Sequence, residues 1–529
     1  PPLRSSTDSG QLLLSQPSVA MGLFKTHKDG STPDIAVIGA GLSGICVGIQ
    51  LQRMLQLTTY KIFEVEEDIG GTWLQNTYPG CACDNLSHLY NYSFAPNYDW
   101  SRKYVPQKEI LEYLRSTARI YNLYDKIQFR SKVSRMQWNE NRQKWVLNWS
   151  DLATGDEAVL EVDVVIQATG LFRVPRIPQG FDQFKGELWH SARWRWDVDL
   201  TGKRVGVVGS GASAIQIVPE IVDKVKNLQV YGRSASYIMP QFDAQYSNFW
   251  KTLFRRLPLL HTIYVTVWHY LLDSLFLVYR RTWPSTFHRA LFYLIVWWHR
   301  RRQMPDARLR QKLVPTRLLG SKRTVLSNTY LPALSKPNVV YHSDEIIKVQ
   351  GNKVTTADGQ TQELDVLILA TGFDTAANYT VGQWIGRDGV DIAKSWIPSP
   401  RTYYGVCAPG APNCFMAWGP MSGTFHQPLT SLLEQQVMFM IKSLSLMMEH
   451  GYSTLEITER ATTEFVKLSD KKGALAVPFG PAKDTPITGK KPLSPSNYWT
   501  GTLTEFNLRL SRFNSELFTG TGVHGPVQV

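Results

Sequence analysis

Residues 34–44 read DIAVIGAGLSG, a short apolar run that leads into three regularly spaced glycines. The run predicts a buried strand, and residues 45–54 predict a helix. Gly39 permits a tight turn, Gly41 lets the backbone approach a pyrophosphate, and Gly44 lets the helix pack closely on the strand. Free N–H groups at the start of the helix would face the anion. This stretch therefore predicts a dinucleotide-binding unit.

An acidic residue follows at the distance that such a unit requires. Residues 60–64 read YKIFE and predict a second strand that ends at Glu64, 20 residues after Gly44. A carboxylate at this point can accept a hydrogen bond from a ribose 2′-hydroxyl, and it would repel a 2′-phosphate. The first unit is therefore predicted to bind a dinucleotide without a 2′-phosphate.

The same plan returns at residues 204–214, which read RVGVVGSGASA. The G-x-G-x-x-A positions of this second turn are Gly209, Gly211 and Ala214. Near the end of the next predicted strand stand Arg233 and Ser234 instead of an acid. A guanidinium and a hydroxyl suit a 2′-phosphate, which favours NADP over NAD. Two units of opposite selectivity imply FAD in the first and NADPH in the second, and they exclude simple dehydrogenases.

Two further apolar strands, 163–170 (DVVIQATG) and 365–372 (DVLILATG), are typical of buried parallel sheets. The predicted fold class is α/β, with two dinucleotide-binding (Rossmann-like) domains for FAD and NADP and a helical insertion in the NADP domain. The predicted divisions are a mobile leader at 1–33, a discontinuous FAD-binding domain at 34–172 and 365–529, an NADP-binding domain at 173–244 and 303–364, and a basic and aromatic helical insertion at 245–302.

The cysteines indicate the compartment and exclude one class of flavoenzyme. The chain of 529 residues contains five, an odd number too small for a disulfide scaffold, which indicates a reducing, cytoplasmic setting. Cys81 and Cys83 form a C-x-C pair, an unusual spacing for a disulfide reductase. No Cys and His set has metal-ligand spacing, so no metal site is expected.

The positive charge is concentrated in the predicted insertion. Residues 251–302 contain nine Lys or Arg side chains and one acid, a net +8 of the +13 of the whole chain. Apolar and aromatic runs separate the basic clusters, which favours peripheral contact with a membrane surface over a nucleic-acid partner. Residues 257–279 are long and apolar enough to span a membrane, but both flanks must join one domain on one side. The segment is therefore interpreted first as a buried helical insertion, and a pair of helices lying on or shallowly in a membrane surface is the alternative.

Two motifs resemble the Baeyer–Villiger monooxygenase family. Residues 70–84 read GGTWLQNTYPGCACD and resemble that family's flavin-contacting motif, G-G-x-W-x-x-x-x-Y-P-G-x-x-x-D. Residues 184–194 read FKGELWHSARW and resemble its fingerprint F-x-G-x-x-x-H-x-x-x-W, which ends in Pro or Asp. Arg195 takes that last position here. The resemblance covers about residues 33–445.

The resemblance implies an activity and a pair of catalytic residues. NADPH would reduce the flavin, O₂ would add to give a C4a-peroxyflavin, and attack on a ketone would give an ester or lactone. By resemblance, Arg323 would stabilise the anionic peroxide and Asp84 would hold Arg323 in place. An Arg serves because it stays charged and can bind a carboxylate and an anion together. Lys322 would reach the 2′-phosphate of NADPH.

The resemblance also implies further cofactor contacts. The positions that match flavin-lining residues are Thr72, Trp73, Leu74, Gln75, Tyr90 and Val133. Ala82 and Cys83 fall where the family's loop meets the nicotinamide nucleotide. The seventeen tryptophans and the apolar insertion hint at a large lipophilic ketone as substrate, although aromatic residues more often fill cores.

Two other functions remain open at the level of the sequence. An N- or S-oxygenating flavin monooxygenase is favoured by Arg195, whereas the Arg323 and Asp84 pair favours the Baeyer–Villiger reaction, since a soft nucleophile needs no peroxide anion. A membrane-associated flavoprotein without catalytic activity is suggested by the basic and aromatic insertion. The complete set of Asp84, Lys322 and Arg323 argues against it.

Overall fold

A computed structural model gives the fold of the chain. It describes residues 32–316, 319, 323–374, 382–397, 399–424, 426–428, 430–476, 498–522 and 525–528. Almost all of the predicted leader (1–31) and Lys322 lie outside the described residues.

The described residues form the following strands and helices. The strands are β1 Ile35–Ile38, β2 Tyr60–Phe63, β3 Ile127–Gln128, β4 Ser131–Asn139, β5 Lys144–Asp151, β6 Glu157–Val162, β7 Val164–Gln167, β8 Glu187–His190, β9 Arg204–Val208, β10 Asn227–Tyr231, β11 Ile238–Met239, β12 Val325–Leu326, β13 Val339–His342, β14 Ile346–Gln350, β15 Lys353–Thr356, β16 Thr361–Glu363, β17 Val366–Leu369, β18 Gln383–Ile385, β19 Cys414–Met416, β20 Tyr452–Ile457, β21 Phe518–Gly522 and β22 Gly525–Gln528. The helices are α1 Leu42–Leu55, α2 Thr72–Gln75, α3 Gln107–Ile120, α4 Ala212–Ile221, α5 Asn248–Arg256, α6 Pro258–Ser274, α7 Trp283–Gln303, α8 Ala307–Lys312, α9 Tyr330–Leu334, α10 Ile392–Ser395, α11 Thr430–His450, α12 Glu459–Gly473 and α13 Leu503–Ser511.

The first parallel sheet has the strand order β19-β7-β1-β2-β3. Every residue of β1 is buried, as expected for a strand covered on both faces. Gly39 follows β1 with a φ of +104°, and a Cβ there would lie 2.6 Å from the carbonyl oxygen of Ala168 at the end of β7. The predicted need for glycine in this turn therefore has two causes, the backbone angle and the close approach of a neighbouring strand.

The second parallel sheet has the order β13-β10-β9-β17-β8 and repeats this arrangement. Gly209 follows β9 with a φ of +140°, and a Cβ there would lie 2.3 Å from the carbonyl oxygen of Ala370. The α/β fold class with two dinucleotide-binding domains is confirmed.

One predicted domain boundary is wrong. The division placed residues from 365 onward in the FAD-binding domain, but β17 pairs with β9 and β8 in the second sheet. Asp365 fixes this position because its carboxylate accepts from the backbone N–H of Arg204 at 2.8 Å and pairs with the Arg204 guanidinium at 2.6 Å. The apolar run of β17 resembles that of β7, so periodicity alone did not distinguish the two sheets. The other boundaries stay predictions.

The insertion is helical, as predicted, but it is not buried as a whole. It consists of α5, α6 and α7 with a short 3₁₀ segment, Leu275–Tyr279, between the last two. Val278 and Val296 pack in a small apolar cluster with Tyr237 and Met239 of the second domain. Among the described residues, no helix combines the length and apolar character that crossing a membrane requires.

Candidate active site

A cavity of about 730 Å³ lies where the two glycine-rich units meet. Both turns contribute to its wall, the first through Gly39 and Gly41 and the second through Gly211. The segment 70–85 and Arg323 complete much of the remaining wall. A cavity of this size, at the carboxyl ends of parallel strands, is where an α/β protein binds its ligands.

Glu64 lies at the first turn as predicted. Its side chain is buried, and its two carboxylate oxygens accept from the backbone N–H groups of Ala40 at 2.6 Å and Glu66 at 2.9 Å. Burial raises the pKa of the Glu64 carboxyl. Because a carboxylate has about four acceptor positions, Glu64 retains capacity for a ribose hydroxyl.

Helix α2 brings the first half of the 70–84 motif to the cavity. The indole N–H of Trp73 donates to the hydroxyl of Tyr90 at 3.0 Å, and the two rings meet edge to face at 5.5 Å. Gly71 has a φ of +52°, and a Cβ there would lie 3.0 Å from the Cα of Gly41. The backbones of the motif and of the first turn therefore approach each other as only glycines allow.

The second half of the motif crosses to the second unit. Gly80 has a φ of +75°, and a Cβ there would lie 2.7 Å from the carbonyl oxygen of Gln216 in α4. The Gln216 side chain donates to the carbonyl oxygen of Ala82 at 3.0 Å and accepts from the Tyr78 hydroxyl at 3.0 Å. This docking fixes the loop that ends in Asp84.

Arg323 and Asp84 meet at the cavity, although 239 positions separate them in the chain. The Arg323 guanidinium donates to the Asp84 carboxylate at 2.8 Å, and about 39% of the Arg323 side chain remains accessible. The charge of Asp84 raises the pKa of Arg323, so this guanidinium stays cationic. A charge-assisted bond on one edge leaves other N–H donors of the fork available.

The cysteines of the motif are not arranged for redox chemistry. All five cysteines are buried and free of disulfides. Burial raises the pKa of the Cys81 thiol to about 12 and raises that of Cys83 as well. A thiol that stays protonated is a poor nucleophile, which agrees with the predicted exclusion of disulfide reductases.

The second unit presents its phosphate-binding candidates at the surface. Arg233 pairs with Glu345 at 3.1 Å, and about 40% of its side chain is exposed. The carbonyl oxygen of Ser234 accepts from the hydroxyl of Ser210 at 2.7 Å, which ties the segment to the second glycine-rich turn. A Cβ on Gly211 would meet no atom within 4 Å, so the start of α4 is open to a ligand.

The predicted site residues divide into three groups. Those that line the cavity are Gly39, Gly41, Glu64, Thr72, Trp73, Gln75, Ala82, Cys83, Asp84, Tyr90, Val133, Gly211 and Arg323. Those that lie outside its lining are Gly44, Leu74, Gly209, Ala214, Arg233 and Ser234. Lys322 falls outside the described residues. The binding and catalytic roles of all these residues stay predictions.

The sequence analysis missed many residues of the cavity wall, among them Arg173, Gln216 and Trp418. Arg173 follows the strand 163–170 by only a few positions, and a basic residue beside a predicted dinucleotide site was the signal that could have identified it. Gln216 and Trp418 carry no local signal, since each reaches the wall through tertiary packing.

Arg195, the unusual last residue of the fingerprint, forms ion pairs at the protein surface. Arg195 pairs with Glu187 at 2.7 Å and with Asp197 at 2.5 Å. Trp194, one position earlier, meets Trp189 edge to face at 5.7 Å. Arg195 is thus held by local ion pairs, and it is absent from the cavity wall.

The residues present fit a bound FAD. The Nε of Arg173 and the indole N–H of Trp418 are buried in the cavity wall and have no hydrogen-bond partner among the described residues. Buried donors without partners are rare, and a polar ligand would satisfy them. Gly41 and Gly71 leave a backbone cradle with no side chain in it. The described residues contain no group of three or more His, Cys, Asp or Glu side chains that could hold a metal ion.

The fold and the site together define an enzyme class that binds a flavin and a nicotinamide dinucleotide. The flavin-binding monooxygenase-like family model matches residues 32–260. A Baeyer–Villiger monooxygenase of Pseudomonas aeruginosa is 34% identical over 445 residues, which is 83% of this chain and 82% of that protein. The chain belongs to the Baeyer–Villiger monooxygenase family.

Solved structures agree with this assignment. The cyclohexanone monooxygenase from Rhodococcus sp. Phi1 bound to NADP⁺ superposes with a TM-score of 0.81 at 25% identity, over 93% of this chain and 99% of that one. The OTEMO complex with FAD and NADP gives 0.80 at 25% identity, over 94% and 100%. The protein is an FAD-containing, NADPH- and O₂-dependent monooxygenase that inserts oxygen next to a ketone carbonyl to give an ester or lactone. This activity is supported over the two alternatives left open by the sequence.

Proposed function

We propose that the chain oxygenates a small lipophilic ketone in the cavity, with Arg323 as the cation at the reaction centre. The observation that carries this proposal is the 2.8 Å ion pair between Arg323 and Asp84 in the cavity wall. The proposed substrate class follows from the wall itself, where Phe172, Phe373 and Leu433 add apolar surface to that of the aromatic motif residues.

FAD bound here and reduced by NADPH would activate O₂ for transfer of one oxygen atom to the ketone. We assign its binding to the first glycine-rich turn, to Glu64 and to the wall residues of the 70–84 motif, with Leu74 anchoring α2 against the apolar core. Arg173 and Trp418 would donate to it, since their buried Nε–H and indole N–H groups have no acceptor among the residues that the structure describes. Val133 would pack beside it.

Arg323 has the chemistry that the oxygenation step requires. Negative charge develops on oxygen as the carbonyl is attacked, and a fixed cation in a site shielded from water stabilises that charge strongly. Asp84 orients the guanidinium through one N–H and leaves others for the oxyanion. Because the pKa of Arg323 is raised, the guanidinium gives no proton to the oxyanion.

The second unit would bind NADPH. The N–H groups at the start of α4, beyond Gly209 and Gly211, would face the pyrophosphate, and Ala214 would allow close packing of α4 on β9. Arg233, Ser234 and Lys322 would recognise the 2′-phosphate. When NADPH binds, its 2′-phosphate would replace Glu345 as the partner of Arg233, so the guanidinium would stay paired.

Peripheral contact of residues 251–302 with a membrane is part of the same proposal. A lipophilic ketone partitions into bilayers, so an enzyme at the bilayer surface would meet it at high local concentration. The supporting observation is the segment's excess of nine basic side chains over one acid between apolar runs.

The test uses the FAD-loaded protein with NADPH, ¹⁸O₂ and a series of cyclic ketones of increasing lipophilicity. We expect one ¹⁸O atom in each ester or lactone, with catalytic efficiency rising along the series. Arg323→Ala should lower product formation by about a thousandfold or more while FAD absorbance is retained. Arg323→Lys should recover only part of the rate.

Arg195→Ala is the matched control, because Arg195 has the same side chain, lies outside the cavity wall and pairs with surface acids. It should retain product formation within about twofold. Ester formation by Arg323→Ala at the parent rate would overturn the proposed role. Loss of efficiency with increasing lipophilicity would overturn the substrate class.

A further inference from the structure

The helices α6 and α7 turn apolar stripes outward. On α6 the exposed side chains Leu259, Ile263, Val267 and Leu271 recur at every fourth position, and Leu259 is 73% exposed. On α7 the stripe includes Trp283 and Phe287, at 90% and 73% exposure, and continues through Leu291, Leu294 and Trp298. A helix at the surface of a water-soluble domain normally buries such a stripe.

Most of the fully buried side chains of the same helices are polar. The buried residues of α6 are His261 and Asp273, and those of α7 are Ser285, Val296 and His299. His261 bonds to His88 at 3.1 Å, and the His299 ring lies 2.9 Å from the carbonyl oxygen of Ser327. Apart from Val296, the buried side chains of both helices are polar and hydrogen-bonded, whereas long apolar stripes face outward and need a partner.

Cations border these stripes, and the segment's one acid is turned away from them. The exposed arginines Arg256, Arg281, Arg301 and Arg302 pair with no carboxylate of the described residues. Arg301 and Arg302 lie over the rings of Trp297 and Trp298 at 5.5 and 5.2 Å. Asp273 is buried, and it accepts from the backbone N–H of Leu503 at 2.8 Å and from His426 at 2.9 Å.

We propose that α5, α6 and α7 form a monotopic docking surface for an anionic bilayer, an inference that rests on the proposed oxidation of a lipophilic ketone. The apolar stripes would enter the acyl boundary, the tryptophans would lie at the headgroup level, and the arginines would contact the phosphates. A second copy of the chain fits less well, because two such faces would bring like charges together. A bilayer accepts apolar and cationic groups on one surface.

The docking surface adjoins the cavity. Phe276 and Tyr279 of the 3₁₀ segment after α6 pack against His426, with ring centres 5.7 and 6.2 Å apart. In the chain, His426 lies between Trp418 and Thr430, which both line the cavity. A ketone leaving the bilayer at this surface would therefore enter near the cavity.

The test is flotation of the full-length, FAD-loaded protein with vesicles, without turnover. One set contains phosphatidylcholine alone, and the other contains phosphatidylcholine with phosphatidylserine. We expect flotation with the anionic vesicles at low salt and its loss at high salt. The variant Arg301→Gln/Arg302→Gln should lower partitioning by about 25-fold, since each basic side chain at an anionic surface contributes about a factor of five.

The apolar contribution has its own variant and control. Trp283→Ser/Phe287→Ser should lower partitioning by about tenfold or more, through loss of buried apolar area. Val159→Ser/Ile347→Ser removes two apolar side chains of 61% and 64% exposure outside the insertion, and Lys226→Gln/Lys348→Gln removes two exposed cations there. Both control variants should float as the parent does.

Three results would overturn the proposal: no flotation with anionic vesicles at low salt, equal losses in the control variants, or a dimer that Trp283→Ser/Phe287→Ser dissociates. Failure here is distinguishable from failure of the proposed ketone oxygenation, which is measured separately with a water-soluble ketone and no vesicles. The docking variants should retain that activity.

Discussion

The two glycine-rich turns have the same backbone geometry but different surroundings. In each, a glycine with positive φ lies against the carbonyl oxygen of an alanine that ends a neighbouring strand, at 2.6 Å for a Cβ on Gly39 and 2.3 Å for one on Gly209. Beside the first turn stands Glu64, 5% exposed and bonded to backbone N–H groups. Beside the second stands Arg233, 40% exposed and paired with a surface acid.

The difference matches the different tasks of the two nucleotides. FAD stays with the enzyme through turnover, and a buried acid in a closed wall suits a resident ligand. NADPH must enter and leave, and an exposed guanidinium with an exchangeable partner suits a ligand that is bound and released. On the proposed assignment of Glu64 to FAD and Arg233 to NADPH, the side chain at the end of the next strand would adapt the same turn to retention or exchange of its nucleotide.

Equivalent alanine substitutions in the two turns should have the largest and the most different effects. Both substitutions combine a backbone clash with a positive φ, so each should distort the unit that contains it. Gly39→Ala should lose more than nine-tenths of its FAD, whereas Gly209→Ala should retain FAD and lose reduction by NADPH, by about a hundredfold. FAD absorbance and anaerobic reduction rates measure the two effects.

Gly211→Ala is the control for these substitutions, since a Cβ there meets no atom within 4 Å. Its melting temperature should equal that of the parent. Equal loss of FAD from Gly39→Ala and Gly209→Ala would mean that the two units fold cooperatively as one body. It would contradict the separate roles of the two turns.

Acid should loosen the first unit from the insertion before it affects the second unit. Burial lowers the pKa of His88 to about 3 and that of His261 to about 4, below the value of about 6.5 in an unfolded chain. The unfolded state therefore binds more protons, and stability falls as pH drops from about 6.5 towards 4. We expect a loss on the order of 3 kcal/mol between pH 7 and pH 4.5.

Denaturant unfolding at several pH values measures this loss. His261→Gln should flatten the pH dependence, whereas His450→Gln, at an exposed helix end, should leave it unchanged. The second unit also has a buried histidine, His342, whose ring nitrogen lies 2.7 Å from the side-chain oxygen of Gln229. Neither variant changes His342, so its contribution to the pH dependence is the same in both. A pH dependence that His261→Gln leaves as steep as in the parent would contradict the assignment to this pair.

Glu64→Gln should weaken FAD binding by about thirtyfold, because a hydrogen bond to a charged acceptor contributes about 2 kcal/mol. The substitution keeps one acceptor for the N–H of Ala40 and removes the charge that would receive the ribose hydroxyl. Titration of the apoprotein with FAD measures the change. The control is Glu67→Gln, an exposed acid outside the cavity wall. Unchanged FAD affinity in Glu64→Gln would refute the ribose contact.

Arg233→Ala should raise the KM for NADPH about tenfold and leave the KM for NADH unchanged. The preference for NADPH over NADH would therefore decrease. Glu345→Gln is the matched control, since it frees Arg233 without removing it. It should leave the KM for NADPH equal or lower. A coenzyme ratio unchanged by Arg233→Ala would mean that another residue recognises the 2′-phosphate, and the contrast between the two units would then rest on Glu64 alone.

The local part of this architecture was readable from the sequence. Gly39, Gly209 and Glu64 stand in short segments whose spacing is imposed by a single turn between a strand and a helix, so no distant contact is needed to predict them. The motif 70–84 is also a short segment, but its contact with the flavin was implied by the family resemblance. The Arg323 and Asp84 pair required the family resemblance, because no rule of spacing joins residues 239 positions apart.

Other features depend on contacts between distant segments. Gln216 reaches the cavity wall because Gly80 lets a loop dock on α4, and β17 joins the second sheet because Asp365 pairs with Arg204. In each pair, the sequence around one residue gives no indication of the other. The positive charge of the insertion could be read from its composition. The outward orientation of the apolar stripes on α6 and α7 could not.

The sequence by itself determined the two nucleotide units, their opposite selectivity and the basic character of the insertion, because each follows from residues within one turn, one strand or one composition window. Only the tertiary structure decided which sheet β17 joins, which donors in the cavity wall lack partners, and which way the apolar stripes face. The physical reason is that these properties depend on burial, and burial is set by chain segments far apart in sequence.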